Sequence, residues 1–317
     1  MPTLLLDKNT VNGLLDMKTV IGAVEQAFRD WTEGAGTMPA KSYLLLGRGD
    51  FRAMPAALPG GAGVKWVNVH PQNRDRGLPT VMAVIVYSDP ETGYPLAVMD
   101  ATGITAFRTG ATAAIAAKHL ARPDSHTMGI IGAGRQSYTQ IAAHSEVFRI
   151  DLIKVYDVVP EAVERLINAF PQFKVTACPL AEVAACDIVC TLTPARTPVF
   201  KTEWLRPGTH INAIGADAEG KEELEPGVLK RAIVVVDDLR QATTSGEINV
   251  PISLGLYSSK EVQATLGEIV THRKPGRTDP QAITIFDSTG VAIEDIAIAK
   301  LVYDQAKNGD HPAMELV

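Results

Sequence analysis

The chain opens on a short apolar run, Thr3-Leu-Leu-Leu6, and then settles into a helical period. Val20, Val24, Ala27, Phe28 and Trp31 recur three and four residues apart and predict an amphipathic helix over about residues 17–33. From Lys41 to Met99 the pattern changes to strand-length apolar runs (43–46, 63–67, 81–87 and 94–99) broken by Gly/Pro turns, the signature of antiparallel sheet. A helix over about 105–120 leads to Arg122-Pro-Asp124, where a hinge is expected. Beyond it, strands near 128–131, 152–156, 174–177, 188–191, 210–214 and 233–236 alternate with helices, the rhythm of a parallel sheet wound on both faces. A last strand, 282–286, precedes a closing helix to about residue 307 that Ser288 or Thr289 would cap.

The run Met128-Gly-Ile-Ile-Gly-Ala-Gly-Arg-Gln-Ser137 takes an apolar strand into Gly132-x-Gly134-x-x-Ser137, with Asp157 closing the next strand. Gly132 allows the tight turn, Gly134 lets backbone approach a pyrophosphate, and the helix starting near Arg135 offers its first N–H groups to that anion. Asp157 lies 25 residues after Gly132, where a carboxylate accepts hydrogen bonds from ribose hydroxyls and repels a 2′-phosphate. NAD is therefore the expected cofactor rather than NADP. The expected fold class is α/β: a Rossmann doubly wound parallel sheet over residues 123–290, and a discontinuous α+β domain of residues 1–122 with 291–317, to which the closing helix returns. A cleft between the two is expected to hold the substrate.

With 46% hydrophobic and 21% charged residues and a formal net charge of −6, the 317 residues have the composition of an ordinary globular protein. No basic run points to nucleic acid, and Arg273-Lys274-Pro-Gly-Arg277 reads as a solvated turn. The apolar runs are far shorter than the about 20 residues of a membrane helix. The first residues lack the features of a secretory signal, and the odd count of three cysteines argues against a disulfide framework, so a cytoplasmic protein with buried free thiols is expected. Cys186-Asp-Ile-Val-Cys190 and the scattered histidines lack metal-site spacing, so no metal is expected; the serine-hydrolase elbow and the P-loop are also missing from the sequence.

The first domain carries cations in apolar or turn settings: Lys41 before a strand, Arg52 in Phe-Arg-Ala-Met-Pro, Lys65 inside Gly-Val-Lys-Trp-Val, and Arg108 at a helix start. Lys65 either points into solvent from a half-buried strand or sits in a drier cleft, where a depressed pKa would let it exchange protons near neutrality. Arg52 and Arg108 either anchor a substrate carboxylate with paired hydrogen bonds or form surface ion pairs. In His210-Ile-Asn-Ala-Ile-Gly-Ala-Asp217, the acid follows a buried strand, where such folds place ligands. Asp217 either faces the reacting centre or forms a turn or cap before a helix over 219–230; Asp237-Asp238 reads as a turn.

Taken together, Gly63-Val-Lys-Trp-Val-Asn-Val-His-Pro71, Gly77-Leu-Pro-Thr-Val-Met82, Thr105-Ala-Phe-Arg-Thr-Gly110, Ile131-Gly-Ala-Gly134, Thr209-His-Ile-Asn-Ala-Ile-Gly-Ala-Asp217, Ser245-Gly-Glu-Ile248 and Ile285-Phe-Asp-Ser-Thr-Gly290 resemble the ornithine cyclodeaminase/μ-crystallin family over nearly the whole chain. Phe51-Arg-Ala-Met-Pro-Ala56 and Lys65-Trp-Val-Asn68 resemble its archaeal-type alanine dehydrogenase branch. The resemblance implies a homodimer joined through the first domain, NAD(H) on the second, and a small amino-acid, 2-oxo-acid or imino-acid substrate. It implies Lys65 and Asp217 as catalytic groups and Lys41, Arg52 and Arg108 as carboxylate ligands. Arg108, Gly132, Gly134, Arg135, Gln136, Asp157, Val158, Thr193, Ile214, Gly215, Ala216 and Ser288 would line the cofactor. Ornithine cyclodeaminases carry a glutamate where this chain has Arg52, which argues against a basic substrate. The implied reaction is oxidation of a small L-amino acid to a 2-oxo acid and ammonia, or its reverse through an imine. Cyclodeamination of ornithine to proline, and a μ-crystallin-like ligand-binding protein, are the alternatives.

Overall fold

The computed structural model describes residues 2–316, the Arg74 side chain apart. The chain divides into two compact units, one running to Arg108 and resuming at Val291, the other spanning Thr109–Gly290. The division falls inside the helix Thr102–Leu120.

The first unit is built on a seven-stranded sheet. Strands Ser42–Leu46, Gly49–Leu58, Gly61–Val69, Val81–Ser88 and Pro95–Asp100 follow one another as antiparallel neighbours. Thr3–Leu6 then adds in parallel to Pro95–Asp100, and Ala313–Met314 forms the far edge. Gly49–Leu58 is a strand that apolar periodicity does not announce, because Pro55 sits inside it. The proline is tolerated for a geometric reason. Ala57 exchanges both backbone hydrogen bonds with Thr37, so Pro55, of the same parity, turns its missing N–H toward that margin and not toward the ladder with Gly61–Val69. A short helix, Lys8–Leu14, is likewise unexpected; its sequence signal is the cap, Asp7, whose carboxylate accepts the Thr10 N–H at 2.8 Å.

Alternation along the strands separates two faces. Arg52, Met54, Ala56, Lys65, Val67, Ala83, Ile85, Tyr87, Ala97 and Met99 share the inner face and are all buried. Helices Met17–Thr32 and Ala292–Ala306 pack together and against strands of this sheet. The outer face presents Leu44, Leu46, Trp66, Met82, Val84 and Val86, each more than a third exposed, with the Trp66 ring stacked on Phe51 at 5.1 Å.

The second unit contains an eight-stranded, wholly parallel sheet, in the order Ala264–Thr265, Ala232–Val236, Ile283–Asp287, His210–Ala213, Ile188–Thr191, Thr127–Ile131, Leu152–Tyr156, Val175–Ala177. Its strands are near-continuous apolar runs because both faces are covered, one core gathering around Met128, Ile153 and Leu166, the other around Val189, Ile211 and Val234. This is the doubly wound Rossmann arrangement, and the strand order reverses beside Thr127–Ile131. Three readings of the sequence need correction here. The closing helix starts at Ala292 with Val291 as its uncapped N-terminus; Ser288 and Thr289 lie before it, and Thr289 donates its N–H and hydroxyl to Asp237. No helix covers 219–230: only Pro226–Leu229 is helical, so Asp217 caps nothing. Asp237 and Asp238 are more than a turn, Asp237 being fully buried under the Thr289 and Gly290 N–H groups and Asp238 capping Leu239–Ser245. Cys186 and Cys190 are buried free thiols as expected, whereas Cys178 is half-buried.

Candidate active site

Each expected cofactor residue of the second unit stands just past the carboxyl end of a parallel strand, and those strands are five consecutive neighbours in the sheet. Asp157 and Val158 follow Leu152–Tyr156, Gly132 to Gln136 follow Thr127–Ile131, Thr193 follows Ile188–Thr191, Ile214 to Asp217 follow His210–Ala213, and Ser288 follows Ile283–Asp287. At ~4.8 Å per strand this edge runs ~19 Å, the scale of an extended dinucleotide.

The residues fit that ligand. Gly132 has φ +105°, a conformation that disfavours any side chain. A Cβ on Gly134 would meet nothing within 4 Å, so the backbone there is open to a pyrophosphate. The helix Arg135–Val147 begins with no side-chain cap, and its first N–H groups suit an anion. Ser137, in place of a third glycine, is buried and donates its hydroxyl to the Gly134 carbonyl at 2.6 Å. Asp157 accepts the Ala133 N–H at 2.6 Å and the Val159 N–H at 2.8 Å, which ties the glycine turn to the end of the next strand. Val158 is largely exposed at 83%. Ile214, Ala216 and Ser288 are buried; the Ile214 and Ser288 N–H groups donate to the carbonyls of Thr191 and Ala213. Asp217 is half-buried and ion-paired with Lys221, four residues on, a partner the sequence reading did not single out.

In the first unit, Lys65 is fully buried. Its cross-strand neighbours are Met54 and Ile85, and its Nζ lies 2.7 Å from both carboxylate oxygens of Asp295. Burial pushes the ammonium down to about 8; Asp295 opposes that shift and Arg108 adds to it. The solvated reading of Lys65 is thus excluded, and its neighbour Trp66 faces outward instead. Arg108 donates to Glu294 at 2.9 Å and lies 3.7 Å from Asp295. Lys65, Arg108, Glu294 and Asp295 form a buried quartet of zero net charge, with both acids in the first turn of Ala292–Ala306, where the helix dipole favours anions.

Arg52 shares the inner face with Lys65 and is 5% exposed, so its ion pair is not a surface one. Its Nε donates to Asp50 at 2.7 Å, and its guanidinium lies 5.4 Å from the centre of the Tyr43 ring. Lys41 lies against the same ring at 5.8 Å. The structure thus groups Lys41 with Arg52 around Tyr43, and Lys65 with Arg108 around Asp295.

A profile of the ornithine cyclodeaminase/mu-crystallin family matches residues 1–310. The chain belongs to this family. It is 51% identical to an alanine dehydrogenase of Archaeoglobus fulgidus over 308 residues, 96% of each chain. Among solved structures it is similar to an archaeal alanine dehydrogenase dimer with bound NAD, at 48% identity and TM-score 0.98 over all of both chains. It is also similar to the Delta(1)-pyrroline-2-carboxylate reductase of Thermococcus litoralis in complex with NADH and L-proline, at 36% identity and TM-score 0.95, covering 99% of this chain and 100% of that one.

Sequence reasoning did not single out the acids that pair with Lys65 and Arg108. Glu294 and Asp295 are legible in hindsight as two charges inside Val291-Ala-Ile-Glu-Asp-Ile-Ala-Ile-Ala299, an otherwise apolar run whose helix is buried along most of its length. Glu247 and Asp287 lie inside the motif runs 245–248 and 285–290 with no role expected of them, and Glu223 gives no sequence signal, yet all three are fully buried at the carboxyl edge of the parallel sheet, and burial raises the pKa of each, that of Asp287 to about 8.

Proposed function

We propose that this protein is an NAD-dependent oxidoreductase that converts a small L-amino acid, NAD and water to the 2-oxo acid, ammonia and NADH, or runs the reverse imine reduction. The observation that carries the reading is Lys65, a lysine held dry on a sheet face with its amine tuned to about 8. A general base works best with a pKa near the working pH, and a buried lysine beside one acid meets that condition. The edge from Asp157 to Ser288 would hold NAD, which would supply the acceptor for the hydride of the substrate's α-carbon. Arg52 and Lys41 hold the substrate carboxylate, and Arg52 disfavours a basic side chain. Neutral Lys65 takes a proton from the α-ammonium, and the lysine and Asp217 manage the protons as water adds to the iminium and ammonia leaves.

The same reading makes the protein a homodimer. The outer sheet face, with Leu44, Trp66, Met82, Val84 and Val86 exposed together, is an apolar surface of the kind that a second copy covers. The alanine dehydrogenase relative was solved as a dimer. Among the described residues no helix is long and apolar enough to cross a membrane; with three free thiols, a cytoplasmic setting is the reading we favour.

The test is NADH formation with L-alanine and L-ornithine, with ammonia assayed in parallel. Net NADH with alanine is expected, and Lys65→Ala should abolish it while NADH binding persists. Proline and ammonia from ornithine without net NADH would replace this reading by cyclodeamination. Residual turnover in Lys65→Ala equal to wild type would leave a role for Lys65 untenable.

A further inference from the structure

We infer that Glu223 is the positioning residue of the cofactor edge: its side chain sets the spacing between the Thr193 and Gly215 turns, a role that rests on the NAD reading above. The strands Ile188–Thr191 and His210–Ala213 pair as far as Thr191 and Ala213, and the Ile214 N–H still reaches the Thr191 carbonyl at 3.0 Å. Past that point a carboxylate does the joining. Oε1 of Glu223 accepts the Thr193 N–H at 2.6 Å and the Thr193 hydroxyl at 2.7 Å. Oε2 accepts the Thr191 hydroxyl at 2.7 Å and the Gly215 N–H at 2.8 Å. Four donors thus converge on one fully buried acid.

The hub is itself rigid. The Glu223 carbonyl accepts the Val199 and Phe200 N–H groups at 2.7 and 2.9 Å, and its own N–H donates to buried Glu247 at 2.9 Å. A second, independent feature points the same way. A Cβ on Gly215 would lie 2.6 Å from Glu223 Oε2 and 2.1 Å from the Thr193 carbonyl oxygen, so the glycine is what lets the two turns close on the acid.

A comparison within the same sheet isolates the role. Asp187 gathers the His126 N–H at 3.1 Å and the Thr127 N–H and hydroxyl at 3.0 and 2.7 Å, with Arg122 as its cation. It does the same chemistry at the amino ends of the strands, away from the cofactor edge. Losing either carboxylate costs stability, but only Glu223 braces turns that face the dinucleotide.

The experiment is NADH titration by coenzyme fluorescence on the full-length wild type, Glu223→Gln, Thr191→Val, Gly215→Ala and Asp187→Asn, with thermal midpoints alongside. A glutamine amide presents donors to two of the four donors now satisfied, so Glu223→Gln should weaken NADH binding about tenfold or more. Thr191→Val removes a single bond and keeps the strand, and should cost about threefold. Gly215→Ala should resemble Glu223→Gln, and combining the two should add little, since both break one hub. Asp187→Asn should lower the midpoint while binding stays within about twofold of wild type. If Glu223→Gln fails to fold, Thr191→Val and Gly215→Ala decide. NADH affinity unchanged in the folded variants overturns the inference and leaves the NAD reading intact; a wild type that does not bind NADH overturns both.

Discussion

Asp295→Asn separates the proton-handling role of Lys65 from simple burial. In the wild type the Lys65 ammonium sits at about 8, so about a tenth of it is neutral at pH 7. Burial is the largest influence lowering it, and the Asp295 carboxylate at 2.7 Å is the largest influence holding it up. An opposite charge at this range is worth ~1–3 pKa units, or ~1.4–4 kcal/mol. Its loss should move Lys65 from about 8 to about 5–7, making half or more of the amine neutral at pH 7. Asparagine keeps the shape and a hydrogen-bond acceptor, so the charge is the main thing removed. The assay is kcat/KM for alanine oxidation from about pH 6 to 10, read as NADH formation. In the proposed mechanism oxidation needs the neutral amine, so the wild-type profile should rise with pH through the Lys65 titration and level above it. The substrate ammonium titrates identically with both enzymes, and the difference between profiles belongs to the protein. In Asp295→Asn the rising limb should move to lower pH by about 1–3 units. Leaving Lys65 and Arg108 to share Glu294 should also destabilise the fold by ~3–5 kcal/mol, which circular dichroism monitors. A folded, active Asp295→Asn enzyme whose limb stays at the wild-type position would refute the assignment of that limb to Lys65.

Three other outcomes are expected. Burial pushes His144 down to about 4 and His210 to about 3, while unfolded histidine titrates near 6.5. The unfolded chain then binds more protons between about pH 6.5 and 4, so thermal stability should fall as pH drops through that window; His144→Gln should flatten the slope, and an unchanged slope would count against it. Trp66→Glu places a charge in the outer apolar face and should turn the dimer into a monomer in sedimentation analysis; a persisting dimer would locate the interface elsewhere. Asp157→Ser removes the carboxylate proposed to accept ribose hydroxyls and should weaken NAD about tenfold while narrowing its advantage over NADP, measured as the ratio of kcat/KM for the two coenzymes.

Much of the second unit could be read from local sequence because its structure is local. Central strands such as Thr127–Ile131 and Ile188–Thr191 are buried on both faces and so appear as nearly continuous apolar runs, and the turn at Gly132 and Gly134 is dictated by backbone conformation within five residues of its strand. The first unit was less legible. Pro55 masks a strand that is tolerable only because of where the Thr37 bridge lies, and the apolar period does not reveal the edge it faces.

Short segments of the chain suffice for the fold class and single out the glycine turn and the cations Lys41, Arg52, Lys65 and Arg108, since strand and helix periods, glycine turns and family motifs are local properties. What surrounds those cations comes from packing between distant segments. Alternation puts Lys65 on one face of its strand, but that face becomes dry only when a helix arriving 230 residues later covers it and supplies Asp295. In the same way, Glu223 is one acid among many until folding brings Thr191, Thr193 and Gly215 to it. Burial and charge pairing belong to distances in space, and those distances are set by packing between segments that the sequence keeps far apart.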